Sequence, residues 1–266
     1  MNLKLLVFVA LTAFITVSCE YQEIADADYP EQTIYMPTAT GGNYVINSAV
    51  ISTVNSPTTG APYRFKADLT SKKFIVPLSV FRGGVNNAGK FSVTITVNAD
   101  TINQLIANGK LSGTELLPAD KYSVPASVEV VSDTNYSLFE LAIDLEYFRA
   151  NPNKKYAVAV GISSIERKVN KALATTIVVV ETKIMVPTAS FTTKADAANT
   201  KKITFTNTSA NGVNYLWNFG DGTTTSTEKS PIHTFAAAGT YSVTLTTTGI
   251  TGDVDKVTKT SDVIVQ

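Results

Sequence analysis

Short stretches in which hydrophobic and polar residues alternate occur along most of the chain and predict β-strands. At residues 91–97, for example, Phe, Val, Ile and Val alternate with Ser, Thr and Thr. A period of two is typical of a strand with one buried face and one solvated face. Strands are predicted in this way at residues 72–81, 90–98, 127–132, 138–145, 156–163 and 172–181, and again at 189–193, 201–207, 213–219, 231–235, 240–248 and 256–265.

One segment, residues 100–108, follows a helical spacing instead. Its apolar stripe would consist of Ile102, Leu105 and Ile106. Asp100 can cap the first turn, and Gly109 can end the helix in the left-handed region. The predicted fold class is therefore all-β, with one short helix in the first half of the chain.

Length and charge limit what such a chain can be. Its 266 residues suffice for two domains, and Pro187 marks a boundary because it cannot donate to a β-ladder. Lys and Arg together number 22, as do Asp and Glu, so no overall field favours nucleic acid as a partner. One Cys and one His leave no intramolecular disulfide and too few ligands for most zinc sites. We expect no cofactor and no metal.

The N-terminus has the layout of an export signal. Lys4 precedes an apolar run at residues 5–17, which is well short of the roughly 20 residues that a spanning helix needs. The run ends at Ser18 and Cys19, and this segment resembles the lipobox of bacterial lipoproteins, although Thr16 and Val17 depart from the strict pattern. The resemblance implies that residues 1–18 are a cleaved signal peptide and that Cys19 is lipidated. The alternative is an ordinary secretory signal with an incidental cysteine.

Residues 19–32 form a predicted acidic tether. They hold five carboxylates and no Lys or Arg, so the segment repels itself and stays solvated. It is loosely similar to the surface-export signals of starch-utilisation-type lipoproteins, and export signal and plain linker remain equal alternatives. Glu20 follows the cysteine, whereas an Asp there resembles an inner-membrane retention signal. The expected location is a Gram-negative outer membrane, where the lipid anchor holds the protein; the cell surface is favoured, and a periplasmic orientation remains the alternative.

Residues 188–266 carry a specific motif. It reads Tyr-Leu-Trp-Asn-Phe-Gly-Asp-Gly at residues 215–222, Pro-Ile-His-Thr-Phe at 231–235 and Gly-Thr-Tyr-Ser-Val-Thr-Leu at 239–245. The segment closely resembles the PKD (polycystic kidney disease) module, which implies an immunoglobulin-like β-sandwich. The alternation predicts that five side chains share its core, namely Ile203, Phe205, Tyr241, Val243 and Leu245.

Two polar residues of this motif were weighed as functional candidates. For His233 a core or turn-bracing role, with one ring nitrogen bonded to backbone, is favoured over a general base. For Asp221 turn stabilisation is favoured over calcium binding, because Asp196 and Asp253 are too scattered to supply the remaining oxygen ligands.

Residues 33–187 contain a second resemblance. A strand, a short helix, the Leu-Pro-x-x-x-Tyr pattern at residues 117–122 and the Lys-Tyr-Ala-Val strand at 155–158 follow in order. They resemble the N-terminal immunoglobulin-like domain of starch-utilisation-type surface lipoproteins. This implies a rigid stalk or a glycan-associated module and supplies no catalytic residues.

A catalytic alternative was considered at Asp144 and Glu146. On one strand they would lie about 7 Å apart on the same face, a separation that a glycosidase can use. The same alternation is what any half-buried strand shows, and no phosphate loop or basic patch with interleaved aromatics accompanies it. We therefore expect no enzyme.

The function predicted is a non-catalytic, lipid-anchored cell-surface protein that assists glycan binding or presentation. Its expected partners are the membrane, a polysaccharide or an outer-membrane transporter complex. The alternative is a structural or adhesive protein that contacts other proteins or acts as a spacer. The aromatic residues most expected to be exposed are Tyr21, Tyr29, Tyr35, Tyr44 and Tyr63, although a packing role is favoured for each and no ligand site is assigned.

Overall fold

A computed structural model describes residues 32–49, 58–84 and 86–266 of the chain. Cys19, the signal segment and all of the tether except Gln32 lie outside the described residues.

The first domain contains β1 (Thr33–Tyr35), β2 (Tyr44–Ile46), β3 (Lys66–Asp68), β4 (Lys73–Arg82), β5 (Phe91–Val97), α1 (Ala99–Ala107), β6 (Glu115–Leu116), β7 (Tyr122–Ser123), β8 (Ser127–Val130), β9 (Tyr136–Asp144), α2 (Leu145–Ala150), β10 (Lys155–Ser163), β11 (Lys168–Val169) and β12 (Thr175–Glu181). The second contains β13 (Phe191–Ala195), β14 (Lys202–Asn207), β15 (Asn214–Asn218), β16 (Ile232–Thr234), β17 (Gly239–Gly249) and β18 (Gly252–Val265). Single 3-10 turns occur at Pro37–Gly41, Ala119–Lys121, Lys171–Leu173 and Thr182–Met185.

The first domain is an immunoglobulin-like sandwich of two sheets. One sheet has the strand order β11-β1-β4-β9-β7 with β3 added beside β4, and the other has β2-β12-β10-β5-β8 with β6 beside β10. Phe91, Val93 and Ile95 are buried while the residues between them are exposed, which confirms the predicted alternation of β5. The hydrophobic core lies between the inner faces of the two sheets.

The predicted helix exists as α1, but its N-terminal cap was predicted two residues too late. The side chain of Asn98, and not Asp100, accepts the hydrogen bond from the Thr101 amide at 3.0 Å. Ile102 is fully buried and Gly109 has the expected positive φ of 72°. A polar residue just before a helix satisfies an amide that has no partner inside the helix, and Asn98 does this here.

A second helix, α2, was not predicted. The strand assigned to residues 138–145 ends at Asp144, whose carboxylate accepts hydrogen bonds from the amides of Glu146 (3.0 Å) and Tyr147 (3.1 Å). The chain therefore turns into a helix where the alternation alone suggested continued strand. Among the helices of the described residues, none is long and apolar enough to span a membrane.

The second domain is a smaller immunoglobulin-like sandwich. Its sheets have the strand orders β13-β14-β16 and β15-β17-β18. The predicted inward face is confirmed, since its core consists of Ile203, Phe205, Trp217, Phe219, Phe235, Val243, Leu245, Val263 and Val265, with Tyr241 packed at its edge. Trp217 is fully buried, and its indole N–H donates to the carbonyl of Glu228 at 2.9 Å.

Candidate functional site

Three aromatic side chains form a row across the outer face of the first sheet. The strand register places Tyr35 of β1 opposite Phe81 of β4, and Phe81 opposite Tyr136 of β9. Their neighbours Ile34 and Val80 are buried in the sandwich core, so the alternation of side chains turns the three rings outward. The rings of Tyr35 and Phe81 lie 5.4 Å apart. We call Tyr35, Phe81 and Tyr136 the aromatic row.

Tyr136 is the most accessible ring of the row. It is 39% exposed, while Tyr35 and Phe81 are half-buried. Gly60, at a φ of 80°, packs so close that a Cβ at this position would lie 2.2 Å from the Tyr136 ring. A side chain at this position would displace the ring, and the positive φ favours glycine, so the Gly60 backbone packs directly against the Tyr136 ring.

Polar groups continue the same face along β9. Leu138 and Glu140 follow Tyr136 at every second position and are exposed. The hydroxyl of Tyr63 donates to Oε1 of Glu140 at 3.0 Å, and the Lys66 ammonium lies over the Tyr63 ring, 5.1 Å from its centre. Burial, and after it the Glu140 carboxylate, raises the pKa of Tyr63 above its ordinary value despite the nearby Lys66. The phenol therefore stays protonated at neutral pH and remains a donor.

The dimensions of this face suit an extended ligand. From Tyr136 to Glu140 the strand advances about 13 Å, and the three strands of the aromatic row together span about 10 Å. Ring faces offer flat apolar contact, while a carboxylate, a phenol and an ammonium offer donors and acceptors beside them. Such a surface can stack against the apolar faces of sugar rings and bind their hydroxyls.

The five tyrosines named in the sequence analysis differ in position and exposure. Tyr35 and Tyr63 lie on this outer face, and Tyr21 and Tyr29 lie outside the described residues. Tyr44 is only 5% exposed, and its hydroxyl donates to the Arg64 carbonyl at 2.7 Å. Burial, only partly opposed by Arg64, raises the pKa of Tyr44 to about 12. Tyr44 is therefore not exposed, and it has the packing role that the sequence favoured over ligand contact.

Phe81 and Tyr136 were missed by the sequence analysis. Tyr136 and Glu140 alternate with the buried Phe139 and Leu141, which is an available signal for an outward face. The strand was predicted to begin at residue 138, two positions after its actual start, so Tyr136 was left in a loop. Phe81 lies beside Tyr136 because β4 pairs with β9, and the periodicity of a single strand does not reveal its pairing partner.

Asp144 and Glu146 both make hydrogen bonds at the start of α2. Asp144 caps α2, as described above, and Oε2 of Glu146 accepts a hydrogen bond from Nη1 of Arg149 at 2.7 Å. The prediction that both lie on one strand face was wrong, because β9 ends at Asp144 and Glu146 belongs to the first turn of α2.

His233 and Asp221 form a nearly buried pair in the second domain. Nε2 of His233 lies 2.6 Å from Oδ2 of Asp221, and the imidazole stacks on the Phe219 ring with centres 3.9 Å apart. The predicted backbone partner for the ring nitrogen was wrong, because that partner is a carboxylate. Oδ1 of Asp221 accepts from the amide (3.1 Å) and hydroxyl (2.6 Å) of Thr223, as expected for a turn-stabilising residue.

The pair packs against the core, because the His233 ring stacks on Phe219 and meets the Phe235 ring edge-on. Burial raises the pKa of Asp221, but hydrogen bonds from Thr223 and His233 outweigh it, so the pKa lies below its ordinary value. In the part of the chain that the structure describes, no group of three or more His, Cys, Asp or Glu side chains is arranged to hold a metal.

Each of the two domains matches a known protein family. A family model with the description "-like, N-terminal domain" matches residues 29–169, and the model of the PKD domain matches residues 185–265. The pre-pro-metalloprotease PrtV of Vibrio cholerae is 42% identical over 77 residues, which cover 29% of this chain and 8% of that protein. The collagenase ColA of Bacillus cereus is 62% identical over 34 residues, covering 13% of this chain and 3% of that protein.

The chain thus spans less than a tenth of the length of these two curated relatives. Among solved structures, a putative carbohydrate binding protein from Bacteroides ovatus is similar over 88% of this chain and 70% of its own, with 9% identity and a TM-score of 0.40.

Proposed function

The chain belongs to the N-terminal domain family matched over residues 29–169 and carries a PKD domain, and from this premise we propose that it is a carbohydrate-related surface protein that binds glycan without cleaving it. The observation that carries the proposal is the aromatic row, with the polar group of Tyr63 and Glu140 continuing its face. Tyr136 is 39% exposed beside the half-buried Tyr35 and Phe81, and grouped accessible apolar surface favours a binding role more than a single exposed residue does.

In the proposed binding mode, sugar rings stack on Tyr136 and Phe81. The ligand hydroxyls then reach Glu140, whose Oε1 already accepts from Tyr63. Because Gly60 and the sheet hold the rings in place, little side-chain entropy is lost when the ligand binds. Preorganised aromatic contact of this kind favours an extended polysaccharide over a small ligand that needs an enclosing pocket.

The absence of catalysis is part of the same proposal. Asp144, Glu146 and Asp221 each accept hydrogen bonds within their own domain, which supports structural roles for them. Hydrolysis of a glycosidic bond needs an acid and a second carboxylate placed on either side of the bond. Release of reducing sugar by the purified chain, lost in Asp144→Asn or Glu146→Gln, would contradict the proposal.

The location proposed is the outside of a Gram-negative outer membrane. Its support is the sequence of residues 1–19, which ends at the single cysteine of the chain. At about 0.8 kcal/mol per buried methylene, a diacylglycerol and a third acyl chain anchor a protein almost permanently. We expect Cys19→Ala to move the protein out of the membrane fraction, and unchanged partitioning into detergent would refute the anchor.

The binding proposal is tested with the chain beginning at Glu20, which keeps every described residue. A panel of polysaccharides is screened by affinity electrophoresis and followed by calorimetry. We expect Tyr136→Ala to weaken the best ligand about tenfold, equivalent to about 1.4 kcal/mol, while Tyr136→Phe keeps the ring and most of the affinity.

The matched control for this test is Ile264→Ala, which removes a 72% exposed side chain from the second domain. It should bind like the wild-type chain. Failure to bind any polysaccharide, or equal affinity of Tyr136→Ala and the wild type, would refute glycan binding at the aromatic row.

A second candidate function is a structural or adhesive role that includes attachment to a transporter complex. The second domain supports this role, because its aromatic motif residues pack in the interior of the domain. Trp217 and Phe235 are buried, and His233 is packed between two aromatic rings. A pull-down with the immobilised chain that recovers outer-membrane proteins, together with no retention of carbohydrate, would support this role over glycan binding.

A further inference from the structure

The tip of the longest hairpin of the second domain belongs to the hydrophobic core of the first. β17 and β18 are joined through Ile250 and Thr251, which are 9% and 0% exposed. Ile250 is part of the core cluster of the first domain, and not of the second. Gly252, at a φ of 64°, lies so close to Leu69 of the first domain that a Cβ would meet its Cδ1 at 3.4 Å. The second domain therefore supplies a side chain that completes the first core.

An ion pair joins the two domains next to this tip. Nε of Arg149, in α2, donates to Oδ2 of Asp255 at 2.7 Å, and its Nη2 donates to Oδ1 at 2.8 Å. The third nitrogen, Nη1, is held by Glu146. The two side chains are only 23% and 28% exposed. A two-point contact between guanidinium and carboxylate fixes both distance and orientation, which a single contact between flexible side chains does not.

The linker between the domains is also held at fixed points. The side-chain amide of Asn211, in the second domain, donates to the carbonyls of Lys183 (2.8 Å) and Val186 (3.1 Å) in the linker. Gly249 packs against Pro187, whose ring would lie 3.2 Å from a Cβ at that position. The residues that normally act as a hinge between domains are thus bound to the second domain on two sides.

We infer that Ile250, the Arg149–Asp255 pair and the Asn211-bound linker act as a lock, which makes the two domains one rigid body that unfolds in a single cooperative transition. Independent domains in one chain usually share a small, polar interface and move relative to each other. Here a buried hydrophobic side chain and a two-point ion pair cross the boundary. The orientation of the aromatic row relative to the PKD domain is then constant, whatever the row binds.

Trp217 makes the lock measurable, because it is the single tryptophan of the chain and lies in the core of the second domain. The experiment destabilises the first domain and measures the unfolding of the second. Ile143→Val removes one methylene from a fully buried position in the first core, a change mild enough to leave the chain folded. Urea unfolding is followed by Trp217 fluorescence and, in parallel, by hydrogen exchange of amides in β10.

If the domains are locked, Ile143→Val lowers the urea midpoint seen by Trp217, and the two probes give coincident curves. Adding Arg149→Ala and Ile250→Ala separates the curves and removes the effect of Ile143→Val on the Trp217 midpoint. Lys154→Ala, which breaks an exposed ion pair with Glu115 within the first domain, is the matched control and leaves the curves coincident. A Trp217 midpoint that does not respond to Ile143→Val, or curves already separate in the unmodified chain, would overturn the inference.

Discussion

Arg82 is a buried cation without a carboxylate partner among the described residues, and its replacement tests how the aromatic row is held. It is 1% exposed and follows Phe81 at the end of β4. Its Nη1 donates to the carbonyls of Ala88 (2.9 Å) and Gly89 (3.0 Å), and its Nη2 donates to that of Val131 (2.9 Å). One guanidinium thus connects the end of β4, the following loop and the segment leading into β9.

Burial without a carboxylate partner in the described part of the chain disfavours the charged form of the Arg82 guanidinium. Burial, followed by the nearby Arg167, lowers the pKa of Arg82, with Asp133 opposing the shift. Nε of Arg82 is buried and has no hydrogen-bond partner in the described residues. The guanidinium nevertheless lies over the Phe91 ring at 4.9 Å, where a cation is attracted to the aromatic face.

The expected effect of Arg82→Met follows from the three carbonyls. A hydrogen bond from a charged donor contributes about 1.5–3 kcal/mol, and the variant loses three of them, although the Val131 carbonyl still accepts from the Thr134 hydroxyl at 2.9 Å. Against this, methionine avoids the desolvation of a charge, so we expect a net loss of about 3 kcal/mol in the free energy of unfolding. Arg82→Lys keeps the charge but offers its donors from one point instead of a planar fork, and we expect a loss of about 1–2 kcal/mol.

Urea unfolding at pH 7, followed by far-ultraviolet circular dichroism, measures both variants. Since Arg82 fixes the strand ends that carry Phe81 and Tyr136, we also expect weaker glycan binding in Arg82→Met at urea concentrations far below the transition. Ser79, which is buried three residues before Arg82 in β4, gives the control variant Ser79→Ala. This variant removes a hydroxyl that has no hydrogen-bond partner in the described residues. The proposed role of the Arg82 hydrogen bonds would be refuted if the free energy of unfolding of Arg82→Met lay within about 1 kcal/mol of the wild type, or if the lysine variant were as unstable as the methionine variant.

Three further predictions concern local structure. The pKa of Asp221 is lowered in the folded chain, so the stability that its carboxylate provides is present above the unfolded value of 3.8 and is lost as the pH falls through the folded value. Asp221→Asn should therefore lower the free energy of unfolding by about 2 kcal/mol at pH 7 and by little at acid pH. Urea unfolding followed by Trp217 fluorescence over a series of pH values measures this difference. Asp144→Ala removes the cap of α2 and should lower stability by about 1 kcal/mol while calorimetry finds glycan affinity unchanged. Gly220→Ala places a Cβ 2.5 Å from the Ser242 carbonyl oxygen at a φ of 76°, and should lower stability by about 2 kcal/mol or more in thermal denaturation.

Much of the architecture could be predicted from the sequence because its signals are local. The alternation in β5 identified Phe91 and Val93 as core residues, and the alternation in the second domain identified Phe205 and Val243. In each case neighbours along the chain carry the information, since a strand turns successive side chains to opposite faces whatever it pairs with. The same local reasoning failed at Asp144, where capping by its own carboxylate ended the strand.

The candidate site depended on contacts between distant parts of the chain. Tyr35, Phe81 and Tyr136 come from three strands whose register sets them side by side, and no periodicity within one strand specifies its partner. His233 likewise gained a carboxylate partner because Asp221 is brought to it by folding.

The sequence alone therefore determined the β-class, the tandem of two sandwiches and most of the core faces, because these follow from side-chain alternation and from short motifs. Only the tertiary structure decided which aromatic rings share a surface and that Ile250 of one domain fills the core of the other. The physical reason is that strand pairing and domain docking are chosen by the total packing of the folded chain, to which each residue contributes only with its distant neighbours in place.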